Sequence, residues 1–585
     1  MTQSWQQQAR ARDLLSKEVG YVRKPHGGKL RVALAFPNTY FVAMSNLGFQ
    51  TVYKLLNAED DIVCERVFLP PKTELAEQLA SGAPLITLES QTPVRDFDIF
   101  AFSVSFEWDY TNVLTLLRLA GIPRRATDRT HHDPLVMIGG AVTFVNPEPL
   151  ALFADVIAAG EGEALIPPLV GAFHGASDRD DLLRRLVAER GFYVPSFYDV
   201  KYAGDGTIEA FVPRDGTNAP PVVRKAALKT TAAADPPATT IFTPETEFGS
   251  RFLVEVVRGC ANLCRFCWAG YNYLPVRAFP KERILQLAEQ ARPYSNRVGL
   301  VSIALCDHPD IDEILTRLVE MGYSISPASL RLDDITPTIL RLLRQSGEKT
   351  ITIAPETGSD RLRRVINKTM TNDEILAAAE LIFASGMENL KLYFMIGIPT
   401  ETDEDLVAIR DLTLQLREIM MTHARTRGHV GRIVGSVNPL VPKPGTAYQW
   451  LPMEDDRSVT RKIARMRTLM AGVDNVFFNI KSERHSFYQA LLSLGDRRVA
   501  PAIEAAERNG GNWRAAVAEV DVDADFFVFR DRSNDAVLPW DIIDGGMKTS
   551  FFRQEADKAM RAEWTLPPNR QKESSQLLAV LHQAP

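Results

Sequence analysis

A regular alternation of strand-like and helix-like segments from Phe252 onward most constrains the fold of this chain. Strand candidates lie at 252–257, 298–305, 324–331, 349–355, 389–396 and 431–438, and helix candidates at 281–292, 311–321, 337–346, 372–385 and 403–421. Strands that alternate with helices predict a parallel sheet. These repeats predict a partial (β/α)6 barrel, in which the chemistry lies at the carboxyl ends of the strands.

Three cysteines directly follow the first of these strands. The run RGCANLCRFC at 258–267 places Cys260, Cys264 and Cys267 in a C-x3-C-x2-C spacing. Three thiolates on one centre suit a [4Fe-4S] cluster and leave one iron without a protein ligand. An open iron can bind and activate a small molecule, whereas a structural zinc site is closed by its fourth ligand. The alternative is a zinc or redox site that a distant Cys or His completes.

The first third of the chain shows a second alternation of strands and helices. Strand-like runs lie at 30–36, 98–103, 135–138 and 155–158, and helical patterns at 47–56 and 110–120. This order predicts a parallel sheet with helices on both faces. Glycines follow two of the strands, where open α/β sheets bind their ligands; they are Gly139, Gly140, Gly160 and Gly162.

Composition places the chain among globular proteins and excludes several classes. A length of 585 residues predicts several domains, and a net charge of −6 offers no broad attraction for nucleic acid. The polar N-terminus has no secretory signal, and no apolar run is long enough to cross a membrane, so we expect a cytoplasmic protein. Five cysteines fit a reducing compartment. Cys64 and Cys306 lie in apolar runs and are expected to be core residues.

The domain prediction follows these patterns and the composition between them. A stretch rich in Pro, Thr and Ala separates the two alternating regions and predicts a connector. The predicted units are an N-terminal extension at 1–29, a Rossmann-like domain at 30–195, the connector at 196–248, the barrel at 249–465, a mostly helical C-terminal domain at 466–565 and a mobile tail at 566–585.

The cysteine motif, with Phe266 as the aromatic residue before its last cysteine, resembles the signature of the radical S-adenosylmethionine (SAM) enzymes. The resemblance implies that SAM binds the open iron and that an electron from the cluster splits it to a 5'-deoxyadenosyl radical. It also implies roles for segments at later strand ends. Ala304, Leu305 and Cys306 would receive the methionine amino group, although the usual Gly-Gly-Glu is absent.

Two further segments carry the same resemblance. Glu356 and Arg361 would lie near the ribose and the methionine carboxylate, because a carboxylate accepts from hydroxyls and a guanidinium pairs with a carboxylate. The turn after the fifth strand would pack on adenine; it contains Ile396, Gly397, Ile398 and Pro399. The alternative for each segment alone is an ordinary helix cap or strand-to-helix turn.

The first domain resembles the cobalamin-binding domain that precedes many radical SAM cores. The whole chain is similar to a bacterial family of B12-binding-domain radical SAM proteins through segments at 37–48, 88–93, 160–163, 438–444 and 495–498. The resemblance implies a cobalamin site that contains Ser45, Asn46, Gly48, Gly139, Gly140, Thr143, Gly160 and Gly162. No Asp-x-His-x-x-Gly segment supplies an axial histidine, and Leu263 stands where the family tends to have Gly. The alternative is a domain of this fold that binds no corrin.

The resemblance implies a radical SAM enzyme, with cobalamin-dependent methyl transfer to an unactivated carbon as the favoured reaction. A methylthiotransferase-like enzyme is an alternative, but that class needs a second cysteine triad and Cys64 is alone in its domain. A non-catalytic corrinoid or iron-sulfur sensor or assembly protein is the other. The expected partners are a reductant such as flavodoxin or ferredoxin and a substrate that the sequence does not identify. Neither a membrane nor nucleic acid is indicated as a partner.

Overall fold

The computed structural model describes residues 3–327 and 330–566. Within these ranges two α/β regions follow one another and a helical region completes the chain. The predicted tail lies outside the described residues beyond 566, as do residues 328–329 of the third predicted barrel strand. No helix of the described ranges combines the length and the apolar character needed to cross a membrane.

The first region contains a six-stranded sheet in the order β2-β1-β3-β4-β5-β6. Its strands are β1 Leu30–Phe36, β2 Ile62–Phe68, β3 Ile99–Ser103, β4 Leu135–Gly139, β5 Val156–Ala158 and β6 Phe192–Tyr193. Strands β1 to β5 pair in parallel, and β6 pairs antiparallel with β5. The order 2-1-3-4-5 is a doubly wound topology that places a ligand crevice where the strand order reverses, between β1 and β3.

Seven helices accompany this sheet: α1 Gln3–Ser16, α2 Tyr40–Ala43, α3 Leu47–Ala58, α4 Lys72–Ser81, α5 Tyr110–Ala120, α6 Gly162–Gly175 and α7 Arg179–Ala188. Strand β1 is apolar on both faces apart from one arginine, as expected for a parallel strand that is covered on both sides. The N-terminal extension is therefore part of the domain, because α1 packs beside the sheet through buried Ala11.

The predicted connector contains a hairpin and a strand that contacts the C-terminal region. Strands β7 Tyr198–Tyr202 and β8 Ile208–Pro213 form the antiparallel hairpin. Strand β9 Val223–Arg224 pairs with β18 Ile543–Asp544. The connector also bonds to both sheets, since Ala226 exchanges backbone bonds with Ala159 and Glu161, and Glu255 N–H donates to the Pro237 carbonyl.

The second region forms a barrel wall from two sheets, in the orders β11-β10-β12-β13 and β14-β15-β16-β17. All neighbouring strands pair in parallel except β11, which is antiparallel to β10. Its strands are β10 Phe252–Arg258, β11 Arg277–Ala278, β12 Arg297–Ser302, β13 Ser324–Pro327, β14 Thr350–Glu356, β15 Asn389–Ile396, β16 Ile433–Pro439 and β17 Val476–Ile480. A bond from Leu330 N–H to the Thr352 carbonyl, at 3.3 Å, joins the sheets. The predicted α/β class is confirmed, and its six barrel strands are present.

The barrel wall extends beyond the predicted domain end at 465. Strand β17 is a seventh parallel strand and pairs with β16. Its polar Asn479 interrupts the apolar run, so the sequence analysis did not identify it. The helices of this region are α8 Trp268–Asn272, α9 Lys281–Ala291, α10 Ile311–Glu320, α11 Pro337–Gln345, α12 Asp360–Val365, α13 Asn372–Ala384, α14 Asp403–Arg427 and α15 Asp456–Met470.

The C-terminal region is mostly helical and shares a core with the first sheet. Its helices are α16 Glu483–Leu494, α17 Ala500–Arg508, α18 Trp513–Glu519, α19 Ala524–Phe529 and α20 Thr549–Met560. Leu491 and Ile503 belong to the same buried cluster as Phe100 and Leu117 of the first domain. Arg125 pairs with Glu504 at 2.8 Å across this junction. The C-terminal region therefore covers one face of the first domain.

A buried ion pair network connects the N-terminal extension to the first sheet. Arg66 of β2 lies 2.6 Å from Glu18 and 2.6 Å from Glu89, and all three side chains are fully buried. The Tyr40 hydroxyl also donates to Glu18. Burial removes these charges from water, so each depends on its partners for stabilisation.

We predict that Arg66→Ala lowers the local opening free energy of β1 and β2 by about 3–5 kcal/mol, because it leaves two buried carboxylates without their cation. Hydrogen–deuterium exchange of the strand amides measures this free energy. Arg31→Ala is the matched control, since Arg31 lies on β1 in a half-exposed pair with Asp98 and its loss is expected to cost below about 1 kcal/mol. Equal effects of the two substitutions would contradict the prediction.

Candidate active site

The three cysteines lie on a loop between β10 and α8, at the carboxyl end of the barrel. Gly259 begins the loop with a φ of +96°, and a Cβ there would lie 2.5 Å from the Tyr273 carbonyl oxygen, so only glycine fits. Cys260, Cys264 and Cys267 all line one cavity of about 520 Å³. The prediction that they converge at the end of the first strand therefore agrees with the structure.

The cavity suits a cluster with three thiolate ligands. Among the described residues that line it there is no fourth cysteine and no histidine. In the described part of the chain, no three His, Cys, Asp or Glu side chains are close enough to share a single metal ion. Three thiols around a cavity instead provide the donor set and the room for a [4Fe-4S] cluster with one open iron.

Burial makes the free thiols weak acids. It raises the pKa of the Cys264 thiol to about 12 and also raises the pKa of the Cys267 thiol. A thiolate is the form that binds metal, so a bound cation must supply the charge that removes these protons. Cys264 and Cys267 are consequently disfavoured as free thiolates, and a metal centre would stabilise their deprotonated form.

Charged side chains lie close to the cysteines in the wall of the same cavity. Glu356 ends β14 and lies 3.3 Å from Lys368. Burial raises the pKa of the Glu356 carboxyl group. Burial alone would lower the pKa of the Lys368 ammonium group, but the negative charges of Glu356 and Cys264 have the larger effect and raise it. Arg331 lies 3.9 Å from the Cys260 sulfur and pairs with Asp307 at 2.8 Å. This wall can bind carboxylate, amino and hydroxyl groups.

The predicted SAM residues are divided between the cavity wall and its surroundings. Phe266 and Glu356 line the cavity. The other predicted residues are not among the lining residues, but two of the predicted segments border the cavity, since Ile303 and Met395 line it directly before them. Those two segments contain Ala304, Leu305 and Cys306, and Ile396, Gly397, Ile398 and Pro399. Their contact with SAM stays a prediction.

Arg361 points away from this cavity in the described structure. Its guanidinium donates to Thr400 and pairs with Asp405 on α14. Arg361 was expected to pair with the methionine carboxylate of SAM, and in this structure it pairs with the Asp405 carboxylate instead. The Cys306 thiol similarly bonds Asp334, and burial raises its pKa.

Several cavity residues were not among the predicted site residues. They come from distant parts of the chain and include Arg331, Lys368, Tyr393, Asn438, Lys443 and Gln489. Lys443 lies between two prolines in the 438–444 segment, and it pairs with Glu107 of the first domain. Asn438 and Lys443 belong to a segment of the resemblance, but no local pattern distinguishes the others from surface polar residues.

A second cavity of about 500 Å³ lies between the first sheet and the barrel. Most of its wall is apolar. The lining residues come from β1, β3 and β4, at the reversal of strand order, from helices α3 and α6, and from the ends of β10 and β12. Six of the eight residues predicted for cobalamin line it: Asn46, Gly48, Gly139, Gly140, Gly160 and Gly162. Ser45 is not a lining residue, and the Thr143 hydroxyl donates to the carbonyls of Gly140 and Ala158.

Two of these glycines are required by the backbone. A Cβ at Gly140 would lie 2.3 Å from the Val104 carbonyl oxygen, and one at Gly160 would lie 2.2 Å from the Ala226 carbonyl oxygen. Both have positive φ values, +100° and +150°. Close backbone approach explains them without a ligand. Gly48 is different, because a Cβ there would meet only the Asn46 side chain, at 3.3 Å.

A group of buried charges joins the first domain to the barrel beside the second cavity, and we call it the ionic junction. Glu161 of the first domain pairs with Arg277 at 2.6 Å and with Arg258 at 3.0 Å. Arg258 also pairs with Glu163 and Glu255. The two cavities meet next to this junction, since Ile303 lines both.

The C-terminal helix α20 holds the cysteine loop in place. Arg265, between two of the cysteines, is fully buried and pairs with Glu555 of α20 at 3.0 Å. It also donates to the carbonyls of Arg364, Val365 and Glu563. The Asn367 amide donates to the Leu263 carbonyl at 3.2 Å. The helix and the loop therefore form one bonded unit.

We predict that Glu555→Ala loosens this loop, because it leaves the Arg265 charge buried without its carboxylate, a loss of about 3–5 kcal/mol. The rate at which a chelator removes iron from the reconstituted protein is expected to increase, and Glu555→Gln is expected to restore part of the retention. Glu563→Ala is the control, since its carboxylate forms an exposed pair with Arg561. Equal rates of iron loss in Glu555→Ala and the control would show that the Arg265–Glu555 pair does not stabilise the cysteine loop.

Comparison with known proteins gives relatives of two kinds. An uncharacterized protein of Methanocaldococcus jannaschii, MJ0966, is 29% identical over 423 residues, which cover 71% of this chain and 82% of that protein. A tRNA-2-methylthio-N(6)-dimethylallyladenosine synthase of Thermotoga petrophila is 22% identical over 44% of this chain. The match spans about half of that enzyme, 55% of its length.

Two solved structures are similar at low identity. The radical S-adenosylmethionine methyltransferase TsrM from Kitasatospora setae, with cobalamin and a [4Fe-4S] cluster bound, is 14% identical with a TM-score of 0.46, over 83% of this chain and 98% of that one. The cobalamin-dependent S-adenosylmethionine radical enzyme OxsB is 15% identical with a TM-score of 0.45, over 66% of this chain and 52% of that one.

Family profiles match two successive parts of the chain. Residues 48–195, the domain beside the second cavity, match the family of radical SAM proteins, N-terminal. Residues 254–413, which include all three cysteines, match the radical SAM superfamily. The family implies a [4Fe-4S] cluster and SAM, and the cysteine cavity fits both. The chain belongs to the radical SAM proteins.

Proposed function

We propose that this radical SAM protein cleaves SAM reductively at the cysteine cavity and transfers a methyl group with the help of a cobalamin in the second cavity. The observation that carries the proposal is the meeting of the two cavities at Ile303. Cofactors in the two cavities would then face one substrate. When bound, the cluster supplies an electron to SAM and the corrinoid supplies a methyl group, so the hard chemistry belongs to the cofactors.

The chain's own residues would bind and orient SAM at the cysteine cavity. Cys260, Cys264 and Cys267 would hold the cluster. The Glu356–Lys368 pair offers both an acceptor for hydroxyls and a cation for a carboxylate. The wall around them is buried, which excludes water from a reactive species. These roles follow from the groups that face the cavity.

The second cavity has features that support a corrinoid ligand. It lies at the strand-order reversal of a doubly wound sheet, where ligands of such sheets bind. Its volume and mostly apolar wall are typical of cofactor pockets. No histidine is among the lining residues of the described chain. We therefore propose a corrinoid bound without a protein imidazole.

Methylthio transfer and a non-catalytic sensor or assembly role are the two alternative functions. The relationship to a tRNA methylthio synthase suggests methylthio transfer, but Cys64, the only cysteine of the first domain, is fully buried in its core. A sensor or assembly protein with the same cofactors would form no 5'-deoxyadenosine. Anaerobic reduction of the reconstituted protein with SAM tests this, and an intact cluster without that product would refute the catalytic proposal.

We predict that Cys264→Ala abolishes the visible absorbance of the reconstituted cluster and the formation of 5'-deoxyadenosine, since it removes one of three iron ligands. Cys306→Ala is the control. Its thiol bonds Asp334 and does not line the cavity, so it is expected to retain the absorbance. Unchanged absorbance in Cys264→Ala would show that the ligand assignment is wrong.

We predict that Gly48→Phe weakens aquocobalamin binding by about tenfold or more, because the ring fills space that the corrinoid would occupy, and tenfold corresponds to about 1.4 kcal/mol. Gly48 is exposed on α3 at the cavity wall. Gly204→Phe is the control, since no atom lies within 4 Å of a Cβ there and it lies outside the cavity. A spectral titration measures the aquocobalamin affinity of each variant. Equal affinities of Gly48→Phe and Gly204→Phe would argue against this site.

A further inference from the structure

The barrel interior contains a third, polar cavity that the proposed cofactors leave unused. It lies against β15, β16 and β17 and has a volume of about 530 Å³. Tyr393 and Asn438 line both this cavity and the cysteine cavity. The third cavity therefore borders the cysteine cavity along these two residues.

Strand register builds a polar row along this wall. Tyr393 of β15 is opposite Ser436 of β16, and Ser436 is opposite Asn479 of β17. These side chains share one face, because aligned residues of neighbouring strands point the same way. The other face is apolar and packs against the surrounding helices through Leu392, Val437 and their neighbours. The polar row thus faces the barrel interior.

Four polar side chains of this wall have no hydrogen-bonding partner among the described residues, although Lys391 lies over the Tyr393 ring at 5.0 Å. Within residues 3–327 and 330–566, the side chains of Tyr393, Ser436, Asn438 and Asn479 form no hydrogen bond with the protein. Each carries at least one donor and one acceptor. A row of four such groups that faces a cavity is available to a ligand with several hydrogen-bonding groups.

Two cations lie at the outer side of the same cavity. Arg467 of α15 and Lys481, which follows β17, both line it. In the described chain neither forms an ion pair, and no carboxylate is among the lining residues. In a chain with a net charge of −6, a pair of unneutralised cations over a polar wall favours an anionic ligand.

From these observations we propose that the third cavity binds the substrate, and that the substrate carries a carboxylate or phosphate group held by Arg467 and Lys481. Its remaining polar groups would bond the row from Asn479 to Tyr393, which directs the other end toward the cysteine loop. The apolar cavity on the other side of the interior remains for the cofactor. This inference rests on the proposed function, because only that function makes the bound anion the substrate of the enzyme.

Equilibrium dialysis of the reconstituted full chain with labelled pyrophosphate and labelled glutarate tests the proposal. Arg467→Ala/Lys481→Ala is expected to weaken binding of the preferred probe by about tenfold or more, since two charge-assisted contacts are lost. Arg465→Ala/Arg484→Ala is the matched control, because it removes the same charge from neighbouring positions outside the cavity. The probe that binds shows whether phosphate or carboxylate is recognised.

A second variant guards against misfolding. Asn479 is exposed, so Asn479→Asp adds a negative charge to the cavity without disturbing the core, and it is expected to weaken binding of the same probe. Wild-type protein that binds neither probe at millimolar concentration, or equal binding by the double variant and its control, would overturn the proposal.

Formation of 5'-deoxyadenosine, measured without substrate, separates this proposal from the proposed function. Anion binding without that product would count against the catalytic function alone. The product without anion binding would count against the third cavity alone.

Discussion

The ionic junction between the two α/β regions is the interaction on which the positions of both cavities depend. Arg258 is the last residue of β10 and lies two residues before Cys260, while its partners Glu161 and Glu163 follow β5 of the first sheet. These charges are almost fully buried, so each is costly unless it stays paired. The strand that positions the cysteines is thereby attached to the turn that borders the second cavity.

This attachment divides the barrel interior between two kinds of surface. On the side of the junction, β10 and β12 present the apolar Val257, Val301 and Ile303 to the cavity shared with the first domain. On the far side, β15 to β17 present the polar row that ends at Asn479. The cysteine cavity lies between them and shares residues with both. The proposed corrinoid and the proposed substrate would then lie on either side of the cysteine cavity.

The sequence was sufficient to predict the parts of this arrangement that depend on local pattern. Apolar strands, glycines at strand ends and the three-cysteine spacing all act over a few residues, so β1, β10 and the cysteine loop were predictable. Strand β17 was not, because its polar Asn479 interrupts a short apolar run. Arg331, Lys443 and Gln489 reach the cysteine cavity from separate segments, and tertiary packing alone brings them together.

Backbone strain marks the same site. Leu263, Glu356 and Asn367 all have positive φ values, +52°, +65° and +53°, which cost a residue with a side chain roughly 1–2 kcal/mol. Leu263 stands where the resembled family tends to have glycine, and its conformation explains that preference. Such strain persists only where surrounding contacts impose it. Here Arg265, Asn367 and α20 supply those contacts, so the C-terminal helix stabilises a loop geometry that the loop's own sequence disfavours.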